Sequence, residues 1–417
     1  MRDTDLTFTK VADLSGRRGR AGIIHTPHGD IPTPAFIPVG TKATVKTVLP
    51  ETMKQLGAAA VLSNAYHLYL QPGPEVIDQA GGLARFMNWN GPTFTDSGGF
   101  QVLSLGSGYK KVLSGEFTGS GRADHTVADK KERHAHVDDE GVTFRSHLDG
   151  SRHRFTPEVS MQIQHQLGAD IMMAFDELTT LLNSREYQVE SLERTRRWAE
   201  RCLAEHERLT IERADKPYQM LYGVIQGAQY EDLRRKAARD LSAMEVAGRS
   251  FDGFGIGGAF EKENLATIVD WVCEELPEDK PRHLLGLSEP DDIFAGVEAG
   301  ADTFDCVNPS RIGRNGGLYG RYGRFNLTRS EFKRDFAAPV AECSCYTCQN
   351  YSIAYLHHLF KAKEMLGFTL ATIHNEYFTV QLVRGIRQSI IDGDYPEYKE
   401  RVLGDFYGGQ PLRSHWG

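Results

Sequence analysis

Strand-length apolar runs alternate with helix-length amphipathic segments along most of this chain of 417 residues, and that alternation limits its fold more than any other feature. The runs fall at 34–39, 60–63, 94–96, 171–175, 220–225, 254–258, 283–287 and 303–307. Helix patterns cover 160–167, 187–210, 230–244 and 263–275. Strand then helix at this spacing predicts parallel βαβ units, since a parallel neighbour needs a long crossover. Eight runs predict an α/β protein built on a closed (β/α)8 TIM barrel. They end on Asn64, Asp96, Asp176, Gln226, Gly257-Gly258, Ser288 and Asp305. In such a barrel the C-terminal strand ends carry the chemistry, so these residues are the first candidates for a site.

Two of the ends stand out. Thr93-Phe94-Thr95-Asp96-Ser97-Gly98-Gly99-Phe100-Gln101-Val102 and Asp302-Thr303-Phe304-Asp305-Cys306-Val307-Asn308-Pro309-Ser310-Arg311 each bring an apolar run to an aspartate and then turn. A lone buried carboxylate is expensive, so an aspartate at a strand end needs a partner or a task. Two of them can divide the roles of nucleophile and general acid/base. The plain alternative is a pair of turn or helix N-cap aspartates.

Hydrophobic residues make up 40% of the chain, enough for a large core. No run approaches the roughly eighteen apolar residues of a transmembrane helix, so no membrane association is expected. The start, Met1-Arg2-Asp3-Thr4-Asp5, lacks the apolar core of a signal peptide, and a cytoplasmic location is expected. A net charge of −8 argues against coating nucleic acid by bulk charge, though a local basic groove remains open. Arg311, Arg314, Arg321 and Arg324 in a glycine-rich stretch offer one, because guanidinium forks match phosphate oxygens.

Six cysteines are present, and three of them cluster as Cys343-x-Cys345-x2-Cys348. His374 follows on a helix pattern over 370–391. Three thiolates and an imidazole make a closed tetrahedral Zn2+ site, structural because no position is left for water. His357 and His358 are nearer in sequence, but read as the surface of an amphipathic helix over 351–366. Cys202, Cys273 and Cys306 read as small buried hydrophobes.

Residues 106–140 break the rhythm and are read as an exposed insertion, partly flexible. They contain His134-Ala135-His136, which has the form of a His-x-His metal pair but lies in a charged run and reads as solvated.

Taken together, these motifs resemble the tRNA-guanine transglycosylases, from about Gly22 to Tyr407. The matching stretches are Thr95-Asp96-Ser97-Gly98-Gly99-Phe100-Gln101, Phe175-Asp176-Glu177, Gly223-Val224-Ile225-Gln226-Gly227, Ile256-Gly257-Gly258 and Phe304-Asp305-Cys306-Val307, with Pro309-Ser310-Arg311 and the Cys-x-Cys-x2-Cys with its histidine. The resemblance implies one TIM-barrel catalytic domain over 1–417, with a zinc-binding subdomain at 330–392. It implies exchange of the wobble guanine in the anticodon loop of GUN tRNAs for a 7-deazaguanine base. Asp305 would be the nucleophile, forming a covalent aspartyl–tRNA intermediate, and Asp96 the general acid/base. Asp176, Gln226 and the backbone at Gly257 and Gly258 would read the base, with Ser97 beside them. Phe100 would stack on it, and Leu285, Gly286 and Glu263 would complete the substrate contacts. Arg311 and Arg314 would touch RNA.

Leu178 and Ala259-Phe260-Glu261-Lys262-Glu263 depart from the common bacterial pattern near the pocket for the deazaguanine substituent. The aminomethyl precursor of queuine is the first expectation for the incoming base, and queuine itself the alternative. A homodimer is expected by resemblance. A non-catalytic partner subunit is the competing reading; such subunits tend to lose catalytic carboxylates, and here both are present.

Overall fold

The computed structural model describes residues 7–106 and 135–408. Eight parallel strands form one sheet: β1 (Ala35–Pro38), β2 (Val61–Ser63), β3 (Thr93–Thr95), β4 (Ile171–Met173), β5 (Met220–Ile225), β6 (Gly253–Ile256), β7 (Arg282–Leu284) and β8 (Thr303–Cys306). Their order is β1-β8-β7-β6-β5-β4-β3-β2, the cyclic sequence of a TIM barrel. A parallel bridge between Val39 and Leu62 links the two ends of that list, so the barrel is nearly closed. The sequence-based strand positions hold to within a few residues at either end. All six residues of β5 are buried, as expected of a parallel strand covered on both faces.

The chain divides into two compact units. One comprises residues 1–63, 87–92 and 281–417, the other 64–86 and 93–280.

In the second unit the helices begin and end on local signals. Pro157–Leu167 starts three residues before the apolar periodicity, because the Thr156 side chain caps it and Pro157 fits its first turn. It stops at Gly168, at φ 68°. Arg185–Glu212 likewise starts early, on Ser184. Glu231–Ser242 buries Leu233, Ala237, Ala238 and Leu241 on one stripe. The helix expected from Glu263 begins at Leu265, preceded by the 3-10 turn Lys262–Asn264. Residues 107–134 of the expected insertion, His134 included, lie outside the described residues. Its last part is ordered as the strand Ala135–Asp138, antiparallel to Gly141–Arg145, which pairs in turn with Arg152–Phe155. His136 lies on the first of these strands and is exposed.

In the first unit the helix Met365–Asp392 runs longer than its predicted 370–391, and Gly393 ends it in the left-handed region. The helix Ile353–Ala362 corrects one expectation. His357 is buried and its Nδ1 lies 2.8 Å from the Leu327 carbonyl, so it is a core histidine rather than a surface one. His358 is exposed as expected.

Three aspartates standing immediately before a strand share one device. Asp170 precedes β4 and accepts from the N–H of Thr93, the first residue of β3 (2.8 Å). Asp302 precedes β8 and accepts from the N–H of Arg282, the first residue of β7 (2.8 Å). Asp252 precedes β6 and accepts from the N–H of Leu221 in β5 (2.8 Å). Each clamps the start of its own strand to the start of the preceding one, satisfying a backbone donor where the ladder has not begun. Asp302 also takes a two-pronged bond from Arg20 (2.9 and 2.8 Å), with both side chains buried.

No helix among the described residues is long and apolar enough to cross a membrane.

Candidate active site and metal centre

In the first unit Asp305 is the third of the four residues of β8, so it belongs to the strand rather than following it. Its Oδ1 lies 3.2 Å from His283 Nε2 and accepts from the Gly286 N–H at 3.0 Å. The other ring nitrogen of His283 is 2.8 Å from the Thr303 hydroxyl. A carboxylate can only accept, so the arrangement assigns the proton to His283 Nε2 and the hydroxyl donor to Thr303. Among the described residues nothing donates to Asp305 Oδ2. The carboxylate is thus gripped by one oxygen, with the other left available, and its side chain is 14% exposed. Leu285 is half-buried, and Gly286 is exposed at φ 83°, a turn that suits glycine. His283 was legible only as part of a strand; its pairing with Asp305 appears when β7 and β8 align side by side.

In the second unit Asp96 follows β3 directly. It accepts from the Ala65 N–H (2.8 Å), Asn64 Nδ2 (2.5 Å) and Gln101 Nε2 (2.8 Å). Asp176 accepts from Gln226 Nε2 (2.6 Å) and the Ser97 hydroxyl (3.3 Å). Burial pushes its carboxyl up to about 6, against the pull of those two donors. Gln226 is buried, with its Oε1 unpartnered. Gly257 is buried and Gly258 partly exposed. At Gly258, φ is 93° and a Cβ would lie 2.5 Å from Gln226 Oε1, so no side chain fits. Phe100 is 48% exposed, an aromatic face without cover in its own unit. Glu263 is exposed on its 3-10 turn and hydrogen-bonds none of Asp176, Gln226 or Gly258. Glu177 has a different task from its neighbour: it is buried and bound by Arg194 and the Tyr187 hydroxyl, each at 2.5 Å.

The four arginines after β8 separate into two pairs. Arg321 is bound to Asp405 and Glu342, and Arg324 to Glu289, so these two are neutralised on the protein itself. Arg311 and Arg314, on the helix Asn308–Arg314, have no acidic partner among the described residues. They stand instead near Lys42 and Lys46 from the segment after β1. Burial first, then Arg314, Lys42 and Arg311, push the Lys46 ammonium below its ordinary value. Burial and Arg311 do the same to Arg314. Mutually repelling cations without an acid suit an anionic ligand. The lysines were not distinguishable in the sequence, because they lie far from the arginines along the chain.

Cys343, Cys345, Cys348 and His374 come together, their ligand atoms all within 4.8 Å of one another. The Sγ atoms stand 3.6, 3.4 and 3.3 Å from His374 Nδ1. Tetrahedral Zn–S and Zn–N bonds place sulfur and nitrogen about 3.5 Å apart, so the donor set fits a four-coordinate ion. His374 Nε2 lies 2.6 Å from the Tyr319 carbonyl, which fixes its proton there and leaves Nδ1 free to ligate. Backbone N–H groups of Cys345 and Cys348 point at the Cys343 and Cys345 sulfurs (3.5 and 3.4 Å). These four residues could hold a metal ion, and all four were expected from the sequence.

Residues 15–407 match the family model for queuine tRNA-ribosyltransferase. A protein of that name from Desulforamulus reducens is 46% identical over 395 residues, 94% of this chain and 96% of its own length. One from Pelotomaculum thermopropionicum is 44% identical over 97% and 99% of the two chains. One from Lactococcus lactis subsp. cremoris is 45% identical over 94% of each. With a match over nearly the whole chain and identity at this level, the protein belongs to the queuine tRNA-ribosyltransferase family.

Proposed function

We propose that this enzyme is a tRNA-guanine transglycosylase that replaces the wobble guanine of GUN-anticodon tRNAs with a 7-deazaguanine through a covalent aspartyl intermediate. The observation that carries the nucleophile assignment is the one-sided grip on Asp305. Oδ1 is tied to His283 and the Gly286 N–H, which leaves the lone pairs of Oδ2 for attack. Oδ2 bonds to the ribose anomeric carbon as the bond to guanine N9 breaks, and the departing pair stays on the base. Asp96 serves as general acid to the departing base and general base to the incoming one. The incoming nitrogen then displaces Asp305, and two inversions retain the configuration at the sugar. An anticodon-loop nucleotide leaves its stack at small expense, which suits a base-exchanging enzyme.

Base selection follows from donor and acceptor pattern. Guanine and 7-deazaguanine share N1–H, a 2-amino group and a 6-oxo group, but not an acceptor at position 7. Asp176 accepts from N1–H and the 2-amino group, while Gln226 and the Gly258 N–H donate to the 6-oxo oxygen. Ser97 orients Asp176, and Gly257 carries the peptide that ends in that N–H. Phe100 stacks on the base. Leu285 and Gly286 flank Asp305 and contact substrate, and Glu263 answers an aminomethyl substituent. The aminomethyl precursor is preferred, with queuine the alternative. Lys42, Lys46, Arg311 and Arg314 contact RNA phosphates. The cysteine–histidine cluster holds Zn2+ as a structural ion, and a homodimer is the working assembly.

The test is incorporation of labelled guanine into unmodified GUN tRNA by the purified protein without added cofactor. Competition with the aminomethyl base and queuine then ranks the substrates. No incorporation by folded, metal-loaded protein would overturn the reading in favour of a non-catalytic partner subunit. Cys345→Ser should lose metal and thermal stability together, since a structural zinc contributes directly to folding; retained metal and stability would refute the assigned site.

A further inference from the structure

Arg234, in the first turn of the helix Glu231–Ser242, is fully buried and has no carboxylate partner among the described residues. Burying a cation without a counter-charge is costly, and an apolar side chain of similar volume would avoid that cost. The guanidinium is held by backbone carbonyls alone. Nε donates to Ala228 (2.8 Å), and Nη1 donates to Ile225 (3.1 Å) and Gly257 (2.6 Å). Nη2 has no partner and lies 3.0 Å from where a Gly258 Cβ would be. The Phe260 ring covers the group, its centroid 5.7 Å from the guanidinium carbon.

The Ile225 carbonyl ends β5, and those of Ala228 and Gly257 lie in the turns that leave β5 and β6, the turns that carry Gln226 and Gly258. The shortest of the three bonds falls on the Gly257 carbonyl, and the N–H of that same peptide is the N–H of Gly258. A charged donor on the carbonyl side of a peptide draws electron density from it and strengthens the N–H on the other side.

We infer that Arg234 is a positioning residue for base recognition: it fixes the Gly257–Gly258 peptide from behind and strengthens the N–H that meets the base's 6-oxo group. The inference rests on the reading of Gly258 given above. Arg234 acts through the peptide and does not touch the base.

The test compares guanine with 2-aminopurine, which lacks the 6-oxo group and with it the N1–H. The KM for guanine exchange and the inhibition constant of 2-aminopurine are measured for the wild type and for Arg234→Met, Arg234→Gln and Arg234→Lys. Metal content and tRNA affinity check folding. Arg234→Met is expected to raise the KM for guanine about tenfold, the scale of one charged hydrogen bond, and kcat less. Its inhibition constant for 2-aminopurine should stay within about twofold, because that ligand makes no bond to the strengthened donor. Arg234→Lys should recover part of the loss. If Arg234→Met yields no folded protein, Arg234→Gln, a neutral donor, is read in the same way. A wild type that prefers guanine alongside neutral variants with the same preference would overturn the role of Arg234. A wild type with no preference would instead overturn the base reading assigned to Asp176 and Gly258, and this inference with it.

Discussion

Asp302 and Asp305 stand three residues apart at opposite ends of β8, and their surroundings could hardly differ more. Asp302 is buried and saturated: Arg20 takes both oxygens and the Arg282 N–H adds a third bond. Asp305 is held by one oxygen and presents the other. The same contrast separates Asp170, clamped before β4, from Asp176, which lies beyond that strand with a raised carboxyl pKa. Aspartates before the strands complete the backbone ladder, whereas Asp305 at the far end of β8 keeps one oxygen in reserve; Asp96, with three donors, is as fully bonded as Asp302. What distinguishes Asp305 from Asp302 is how much of its acceptor capacity the protein leaves unused.

Substitution at the two ends of β8 should give opposite phenotypes. Asp305→Asn is expected to reduce base exchange by at least about a thousandfold, with no covalent tRNA adduct on a denaturing gel and tRNA affinity retained. Full exchange in that variant would break the comparison. Asp302→Asn should leave turnover per folded molecule intact but destabilise the protein by about 3–5 kcal/mol, because Arg20 would be buried without its counter-charge. Chemical denaturation measures this, and wild-type stability would show that the clamp is dispensable.

The Asp176 carboxyl sharpens the contrast through pH. Its value is raised from 3.8 to about 6, so the stability it contributes is complete below about 4 and is lost as pH rises through about 6. The ionised form that the proposed base contact requires is therefore the one that burial disfavours. The KM for guanine should rise as pH falls below about 6. Asp176→Asn should bind base poorly, yet be more stable than the wild type at pH 8 by about 1–2 kcal/mol. A pH-independent KM would count against the assignment. The smallest effect is expected at the basic cluster. Lys46→Ala should reduce the salt dependence of tRNA binding by about one unit of log–log slope, with little change in KM for the base. An unchanged slope would remove Lys46 from the RNA contacts.

Much of the scaffold was legible because its signals are local. Each barrel strand announced itself as an apolar run, and residues such as Thr156, Pro157 and Gly168 bounded a helix through their own backbone preferences. The cysteine–histidine cluster was legible because its three cysteines lie within six residues and thiolates in that pattern have few other uses. Helix starts were read late where a cap, not periodicity, set the boundary. His357 was misread because amphipathic spacing does not reveal which face a neighbouring loop will cover.

By itself, then, the sequence determined the number of the barrel strands, the aspartates at their ends and the cysteine–histidine cluster that could hold a metal ion. Only the tertiary structure decided which polar groups meet. It joined Arg20 to Asp302 across 282 residues, placed His283 on Asp305, neutralised Arg321 and Arg324 while leaving Arg311 and Arg314 beside Lys42 and Lys46, and set Arg234 behind Gly257. The physical reason is range. Strand and helix formation answers to backbone geometry over a few residues, whereas the saturation of a carboxylate or a guanidinium depends on partners that only packing brings within hydrogen-bonding distance.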